Sequence, residues 1–135
     1  MSWTVEYVPE KDMVKVFARG RIFNQDARDQ AVEVINLLKQ RDANFILVDS
    51  SDVKLEVSLA NLYWLPEYYL ELGAPQHVRV AIVLPRSHGQ IESYQFYQIA
   101  CKNAGYNVKL FESEEAAEDW FRQVRPSRPA ERYAR

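Results

Sequence analysis

The amino-acid sequence predicts an α/β layer fold that is built on a five-stranded mixed sheet with about four helices. Hydrophobic periodicity gives the element order β-β-α-β-α-β-α-β-α, in which a hairpin and a helix precede three strand–helix units. Parallel strands need helical crossovers, so this order indicates a sheet covered by helices. The 135 residues fit one domain. We expect that domain to span residues 1–124 and a flexible basic tail to span residues 125–135.

Alternation of apolar and polar residues predicts the first two strands. Two alternating segments flank a polar turn at Pro9–Asp12, which is typical of a β-hairpin. Gly20 interrupts the alternation and predicts the end of the second strand. The following helix is expected to begin with Asn24 or Asp26 as its N-cap. The alternating apolar residues are Trp3, Val5, Tyr7, Val14, Val16 and Ala18.

The middle of the chain contains a short apolar run followed by polar residues. Phe45–Val48 is typical of a strand that is buried on both faces, and a Ser/Asp-rich bend is expected to follow it. Ser58 is suited to cap the next helix. Pro66 either kinks this helix or begins a second helix over Pro66–Leu72, and Gly73 ends the segment.

The remaining elements follow the same alternation of strand and helix. Val78–Leu84 predicts a strand, and Ser87 with Gln90 predicts a capping box at the start of the next helix. After a last short strand, Ser113 is expected to cap the final helix. The buried stripe of that helix is predicted to contain Ala117, Trp120, Phe121 and Val124.

Charge and hydropathy limit the classes of partner. The formal net charge is −2, although five arginines against one glutamate from Arg122 onward give the C-terminal end a charge of +4. The remainder of the chain is therefore acidic, which argues against nucleic acid because phosphate binding needs a clustered basic face. No apolar run approaches the roughly 20 residues of a membrane helix. We expect no stable membrane insertion and a cytoplasmic protein.

The residues suited to metal binding or catalysis are few. Cys101, His77 and His88 lack the short spacing of a zinc site, so we expect no metal and no cofactor. Cys101 lies in a helical pattern and is predicted to be a packed thiol. The polar segment 50–52 is not part of a G-x-S-x-G elbow, and its composition fits turn chemistry. The sequence therefore predicts a protein that is not an enzyme.

Three stretches resemble the STAS family, and most closely its SpoIIAA-like branch. They are FILVDSSDVKLEVS, VRVAIVLPRSHGQIESYQFYQIACKNAG and YNVKLFESEEAAEDWF, which together cover most of residues 3–121. The resemblance implies a STAS-like fold and a bacterial regulatory domain that binds other proteins. This branch also resembles the lipid-binding Sec14 (CRAL-TRIO) domain, which implies an apolar or lipid-like ligand as an alternative.

The resemblance also implies a possible phosphorylation site at Ser58. In STAS antagonists a serine at the start of the helix after the central strand is phosphorylated, and Ser58 is the matching position. A helix N-terminus favours a phosphate group because of its free N–H groups and its dipole. Val57 stands where the family has Asp, and Leu59–Ala60 stands where it has Ser–Gly. A plain N-cap is the other interpretation of Ser58.

Aromatic residues are concentrated in the two helices after the central strand. A two-turn helix cannot bury so much apolar surface beneath itself, so these rings are expected to contact a protein partner, a second copy in a homodimer, or a small apolar molecule. The other interpretation is that they fill the core. The candidate contact residues are Tyr63, Trp64, Tyr68, Tyr69, Tyr94 and Tyr97.

Overall fold

The structure is a computed structural model that describes residues 2–86 and 88–124. The strands are β1 Ser2–Val8, β2 Met13–Phe23, β3 Phe45–Glu56, β4 Arg79–Val83 and β5 Asn107–Phe111. They form one mixed five-stranded sheet with the strand order β1-β2-β3-β4-β5. β1 and β2 are antiparallel, and β2, β3, β4 and β5 are parallel to one another. The helices are α1 Asn24–Arg41, α2 Leu59–Glu71, α3 Ile91–Asn103 and α4 Glu114–Val124. The predicted fold class and element order are confirmed.

Within the described residues, helices cover both faces of the sheet. Successive side chains of a strand point to opposite faces, which divides the apolar run of β3 between two cores. Phe45 and Leu47 pack with Phe121 of α4. Ile46 packs with Leu38 of α1 on the other face, where α2 and α3 also lie. The sheet is therefore covered by α4 on one side and by three helices on the other.

Strands β2 and β3 continue beyond their predicted ends. The register of the pair shifts between Phe17 and Arg19, and pairing then continues to Phe23 and Glu56. This irregularity absorbs one extra residue of β3, and Gly20 beside it adopts a φ of 85°. The predicted strand end at Gly20 and the predicted bend after Val48 are therefore wrong, because strand pairing extends through both.

The start of α1 differs from the prediction. The N-cap residue is Phe23, so neither Asn24 nor Asp26 holds that position. The Asp26 carboxylate instead accepts a hydrogen bond of 2.8 Å from the Phe23 N–H. The Asn24 side chain accepts from the Ser58 N–H at 3.2 Å and so joins the start of α1 to the start of α2.

Helix α2 is continuous from Leu59 to Glu71 and contains Pro66 in its interior. The alternative of a second helix that begins at Pro66 is therefore wrong. Pro66 is buried, and its ring replaces the N–H that an ordinary residue would direct into the helix. Gly73, with a φ of 76°, follows the end of the helix as predicted.

Helices α3 and α4 begin in different ways. Ser113 caps α4 as predicted, and its Oγ accepts a hydrogen bond of 3.1 Å from the Ala116 N–H. Gln90 does not act in a capping box: its Nε2 donates to the Leu55 carbonyl and its Oε1 accepts from the Leu55 N–H, both at 2.7 Å. Ser87, the other half of that prediction, lies outside the described residues, as does the predicted tail at 125–135.

Candidate functional site

Helix α2 has one buried side and one exposed side. Leu62, Leu65 and Pro66 pack against the rest of the domain. The opposite side carries large apolar side chains that face solvent: Trp64 is 59% exposed and Tyr63 is 50% exposed. Their rings contact each other edge to face, with centroids 5.1 Å apart. We name the exposed apolar side chains Leu59, Tyr63, Trp64 and Leu70 the α2 patch.

Two carboxylates of α2 lie beside the α2 patch. Glu67 and Glu71 are exposed and follow Tyr63 by four and eight residues, which places them on the same side of the helix. The helix sequence Leu59–Glu71 contains no lysine or arginine. The patch therefore combines exposed aromatic rings with a negative charge.

Ser58 lies at the N-terminal end of the α2 patch and acts as the predicted N-cap. Its Oγ accepts hydrogen bonds from the Asn61 N–H at 3.2 Å and from the Asn61 Nδ2 at 2.8 Å. The residue is exposed, so its hydroxyl is accessible from solvent. Local hydrogen bonding thus explains Ser58 as a helix cap.

The structure places five of the six predicted contact residues in two groups and leaves Tyr68 outside both. Tyr69 and Tyr97 are half-buried, and their hydroxyl oxygens lie 2.7 Å apart. Tyr94 is buried. Tyr68 is half-buried, with the Arg28 guanidinium 5.8 Å from the centre of its ring. Only Tyr63 and Trp64 belong to the α2 patch, while Tyr69, Tyr94 and Tyr97 line an interior cavity.

That cavity lies between the sheet and helices α1, α2 and α3. Its volume is about 170 Å³, and it is partly open to solvent. Small side chains on the inner side of α1, Ala27 and Ala31, leave room above the sheet. Among the described residues that line the cavity, none is charged. The polar members of the lining are Gln30, Ser50, Tyr69, Tyr94, Tyr97, Cys101 and Tyr106.

Burial raises the pKa of tyrosine hydroxyls and of the thiol in the cavity lining. Burial raises the pKa of Tyr94 to about 12, and the Ser50 hydroxyl opposes part of that rise. Burial likewise raises the pKa of the Cys101 thiol to about 12 and that of Tyr97 well above its usual value. Since a thiolate is the reactive form, the buried Cys101 is a packed thiol, as predicted.

The polar residues after the central apolar run do not converge on one point. Asp49 accepts a hydrogen bond of 3.0 Å from the Ser51 N–H, and Asp52 pairs with Arg86 at 2.7 Å. Ser50 points to the other face of the sheet, into the cavity. The segment is therefore engaged in structural contacts along a strand.

In the part of the chain that the structure describes, the histidine, cysteine, aspartate and glutamate side chains form no group of three or more that is arranged to hold a metal ion. The helices of this part include none with the length and apolar character needed to cross a membrane.

Comparison with known proteins relates the chain to others by structure. No protein-family model matches it, and no curated protein matches it in sequence. Among solved structures it is similar to the unphosphorylated anti-sigma factor antagonist SpoIIAA, with a TM-score of 0.57 and 18% identity over 91% of this chain and 100% of that one. The phosphorylated Bacillus cell fate determinant SpoIIAA gives a TM-score of 0.56 and 13% identity over 88% and 98% of the two chains.

A third similar structure is an uncharacterized protein of the DUF3478 family from Shewanella loihica, which is described as having a SpoIIAA-like fold. Its TM-score is 0.56, with 19% identity over 88% of this chain and 91% of that one. The three similar structures each cover between 88% and 91% of this chain. The chain therefore has the SpoIIAA-like fold that the sequence predicts for a STAS-like domain.

Proposed function

We propose that the chain is a non-enzymatic regulatory domain of the cytoplasm that binds a partner protein through the α2 patch. The observation that carries this proposal is the exposure of Trp64 and Tyr63, at 59% and 50%, side by side on one helix. Exposed aromatic side chains in one cluster are typical of interface hot spots, because they bury a large area at a low cost in side-chain entropy. The role of the similar SpoIIAA, an anti-sigma factor antagonist, is to act on another protein, which supports the same class of function.

The charge beside the patch indicates the chemistry of the partner. Glu67 and Glu71 flank the aromatic rings. Complementary charge increases the rate of association and excludes wrong partners. The matching partner surface is an apolar groove that is bordered by lysine or arginine, and its binding weakens as salt is added.

Photo-crosslinking tests where the partner binds. A benzophenone amino acid replaces Trp64 in cells that express the full chain, and in a matched strain it replaces Gln123, which is exposed on α4 at the other face of the sheet. We expect irradiation to give a discrete covalent adduct from position 64 and none from position 123. Adducts of the same mass and yield from both positions, or from position 123 alone, would contradict the proposal.

The mass of the adduct also identifies the kind of partner. An adduct of twice the mass of the chain indicates a homodimer that is formed through the α2 patch. Any other mass indicates a different protein, whose identity then follows from peptide sequencing. We expect a different protein, because the carboxylates that flank the α2 patch would repel each other in a symmetric contact between two copies.

We also propose that phosphorylation of Ser58 controls this docking. Ser58 is exposed at the N-terminal end of α2, one residue before Leu59 of the patch. A phosphate there would add about two negative charges to a surface that is already acidic and would change the attraction to a basic partner. SpoIIAA is known in a phosphorylated form, which supports a switch of this kind.

Intact-mass measurement tests the switch. In protein purified from the source organism, we expect a population that is heavier by about 80 Da, the mass of one phosphate, and peptide mapping should place it on Ser58. The same population should be absent from a Ser58→Ala variant. A phosphate that remains in that variant, or no added mass under any growth condition, would exclude Ser58 as the switch.

A further inference from the structure

The cavity between the sheet and helices α1, α2 and α3 takes no part in docking at the α2 patch. Its volume of about 170 Å³ is similar to that of an apolar protein cavity of about 150 Å³ that stays dry and binds benzene. Pockets for drug-sized ligands are larger, at roughly 300–1,000 Å³. The cavity therefore fits a molecule of about ten non-hydrogen atoms and is too small for an intact phospholipid.

The lining defines the charge of such a molecule. Among the described residues of the lining, there is no lysine, arginine, histidine, aspartate or glutamate. An ion that enters an apolar cavity loses its hydration, and without a partner of opposite charge this loss is not compensated. The cavity therefore favours a neutral molecule over a carboxylate or an amine.

One polar pair in the lining has hydrogen-bonding capacity to spare. Ser50 and Tyr94 both line the cavity and are each only 5% exposed. Each hydroxyl has one proton, and a hydrogen bond between the two hydroxyls would use only one of those protons. The pair therefore offers a donor to a ligand in the cavity. A buried donor without an acceptor is costly, and a ligand oxygen would remove that cost.

We propose that this cavity binds a small neutral molecule with one hydrogen-bond acceptor, such as a ketone with an aromatic or branched aliphatic body. The body occupies the apolar space between α1 and the sheet, and the acceptor oxygen accepts a hydrogen bond from the Ser50 or the Tyr94 hydroxyl. This proposal goes beyond docking at the α2 patch and does not depend on it, since the cavity lies beneath α2 and the patch lies on its outer side.

Three probes of similar size and shape test the proposal. Acetophenone is neutral with an acceptor, α-methylstyrene is neutral without one, and benzoate is anionic. Each is titrated into the isotope-labelled full chain and followed by amide NMR. We expect acetophenone to shift the amides of residues that line the cavity and to bind about fivefold more tightly than α-methylstyrene and more than about tenfold more tightly than benzoate.

Two variants assign the effect to the cavity. Tyr94→Phe should weaken acetophenone about fivefold and leave α-methylstyrene within about twofold, because only the hydroxyl is lost. Ala31→Leu should fill the space and weaken both neutral probes by more than about tenfold, without lowering the melting temperature, since leucine is a good helix former and filling a cavity is favourable. Ala60→Leu, at an exposed position of α2 outside the cavity, is the control for this substitution and should change neither property.

Several results would overturn the proposal. No amide shift with either neutral probe at millimolar concentration would show that the cavity takes no such ligand. Shifts confined to the α2 patch would show adsorption to its exposed rings instead. Benzoate that binds as tightly as acetophenone would exclude selection for a neutral molecule. A melting temperature that falls in Ala31→Leu but not in Ala60→Leu would indicate overpacking of a closed core.

Discussion

Raising the pH from about 9 to about 11 is expected to lower the free energy of unfolding by at least roughly 4 kcal/mol, the amount that Tyr94 and Cys101 alone contribute. The reason is the group of buried acids around the cavity. Burial raises the pKa of Tyr94 and of Cys101 to about 12, and it also raises the pKa of Tyr69 and Tyr97. The unfolded chain releases these protons near the ordinary values of 10.0 for tyrosine and 9.0 for cysteine, while the folded chain retains them.

The sign of the effect follows from proton binding. Between the ordinary and the raised pKa values the unfolded state binds fewer protons than the folded state, so stability falls as the pH rises. Each group then contributes up to about 1.4 kcal/mol per pH unit. Lys15 acts in the same direction: its hydrogen bond to Glu114 raises its pKa, and the stabilisation is lost as the pH rises through that raised value.

Urea unfolding followed by tryptophan fluorescence at a series of pH values measures this dependence. Tyr94→Phe should reduce the slope of stability against pH by about 1.4 kcal/mol per pH unit between about pH 10 and pH 12, because one retained proton is removed. Tyr63→Phe, at an exposed position, is the matched control and should keep the wild-type slope. Equal slopes for all three proteins would contradict the burial of the Tyr94 hydroxyl.

Features that depend on neighbouring residues could be predicted from the sequence. Ser58 and Ser113 cap their helices through hydrogen bonds to residues only three positions further on. Alternation likewise identified β1 and the first part of β2, because the pattern records which side chains face the core. The order of strands and helices followed from such local signals, and with it the fold.

Features that depend on distant residues could not be predicted in the same way. The extension of β3 to Glu56 results from pairing with the end of β2, more than thirty residues earlier in the chain. The Gln90 side chain bonds to Leu55 across 35 positions, and no local pattern indicates this. The sequence contains one signal for the cavity: Ala27 and Ala31 place small side chains on the inner side of α1.

The aromatic residues of α2 show where sequence reasoning about the site reached its limit. Their excess over what a short helix can bury agrees with the exposure of Tyr63 and Trp64, and their contact with a partner stays a prediction. Their division between surface and interior depends on the angle at which α2 lies on the sheet. That angle places Tyr69 against Tyr97 and leaves Tyr63 outside, and only the tertiary structure specifies it.

Removal of the two exposed rings of the α2 patch is expected to abolish partner binding. Each aromatic hot spot contributes about 2 kcal/mol or more, so the double substitution Tyr63→Ala with Trp64→Ala should weaken the complex by more than about a hundredfold. Both side chains are at least half exposed, so the fold should be retained, with an unchanged circular dichroism spectrum. Gln123→Ala on α4 is the control, because it truncates an exposed side chain on the opposite face.

Quantitative affinity capture from lysate of the source organism compares these proteins with one another at matched salt concentrations. The proposed function predicts a protein that is recovered equally with the wild type and with Gln123→Ala, and that is lost with the double variant. It further predicts that recovery falls as salt is raised, because the flanking carboxylates Glu67 and Glu71 attract a basic partner. A captured protein whose recovery is the same with the folded double variant as with the wild type would contradict docking through the α2 patch.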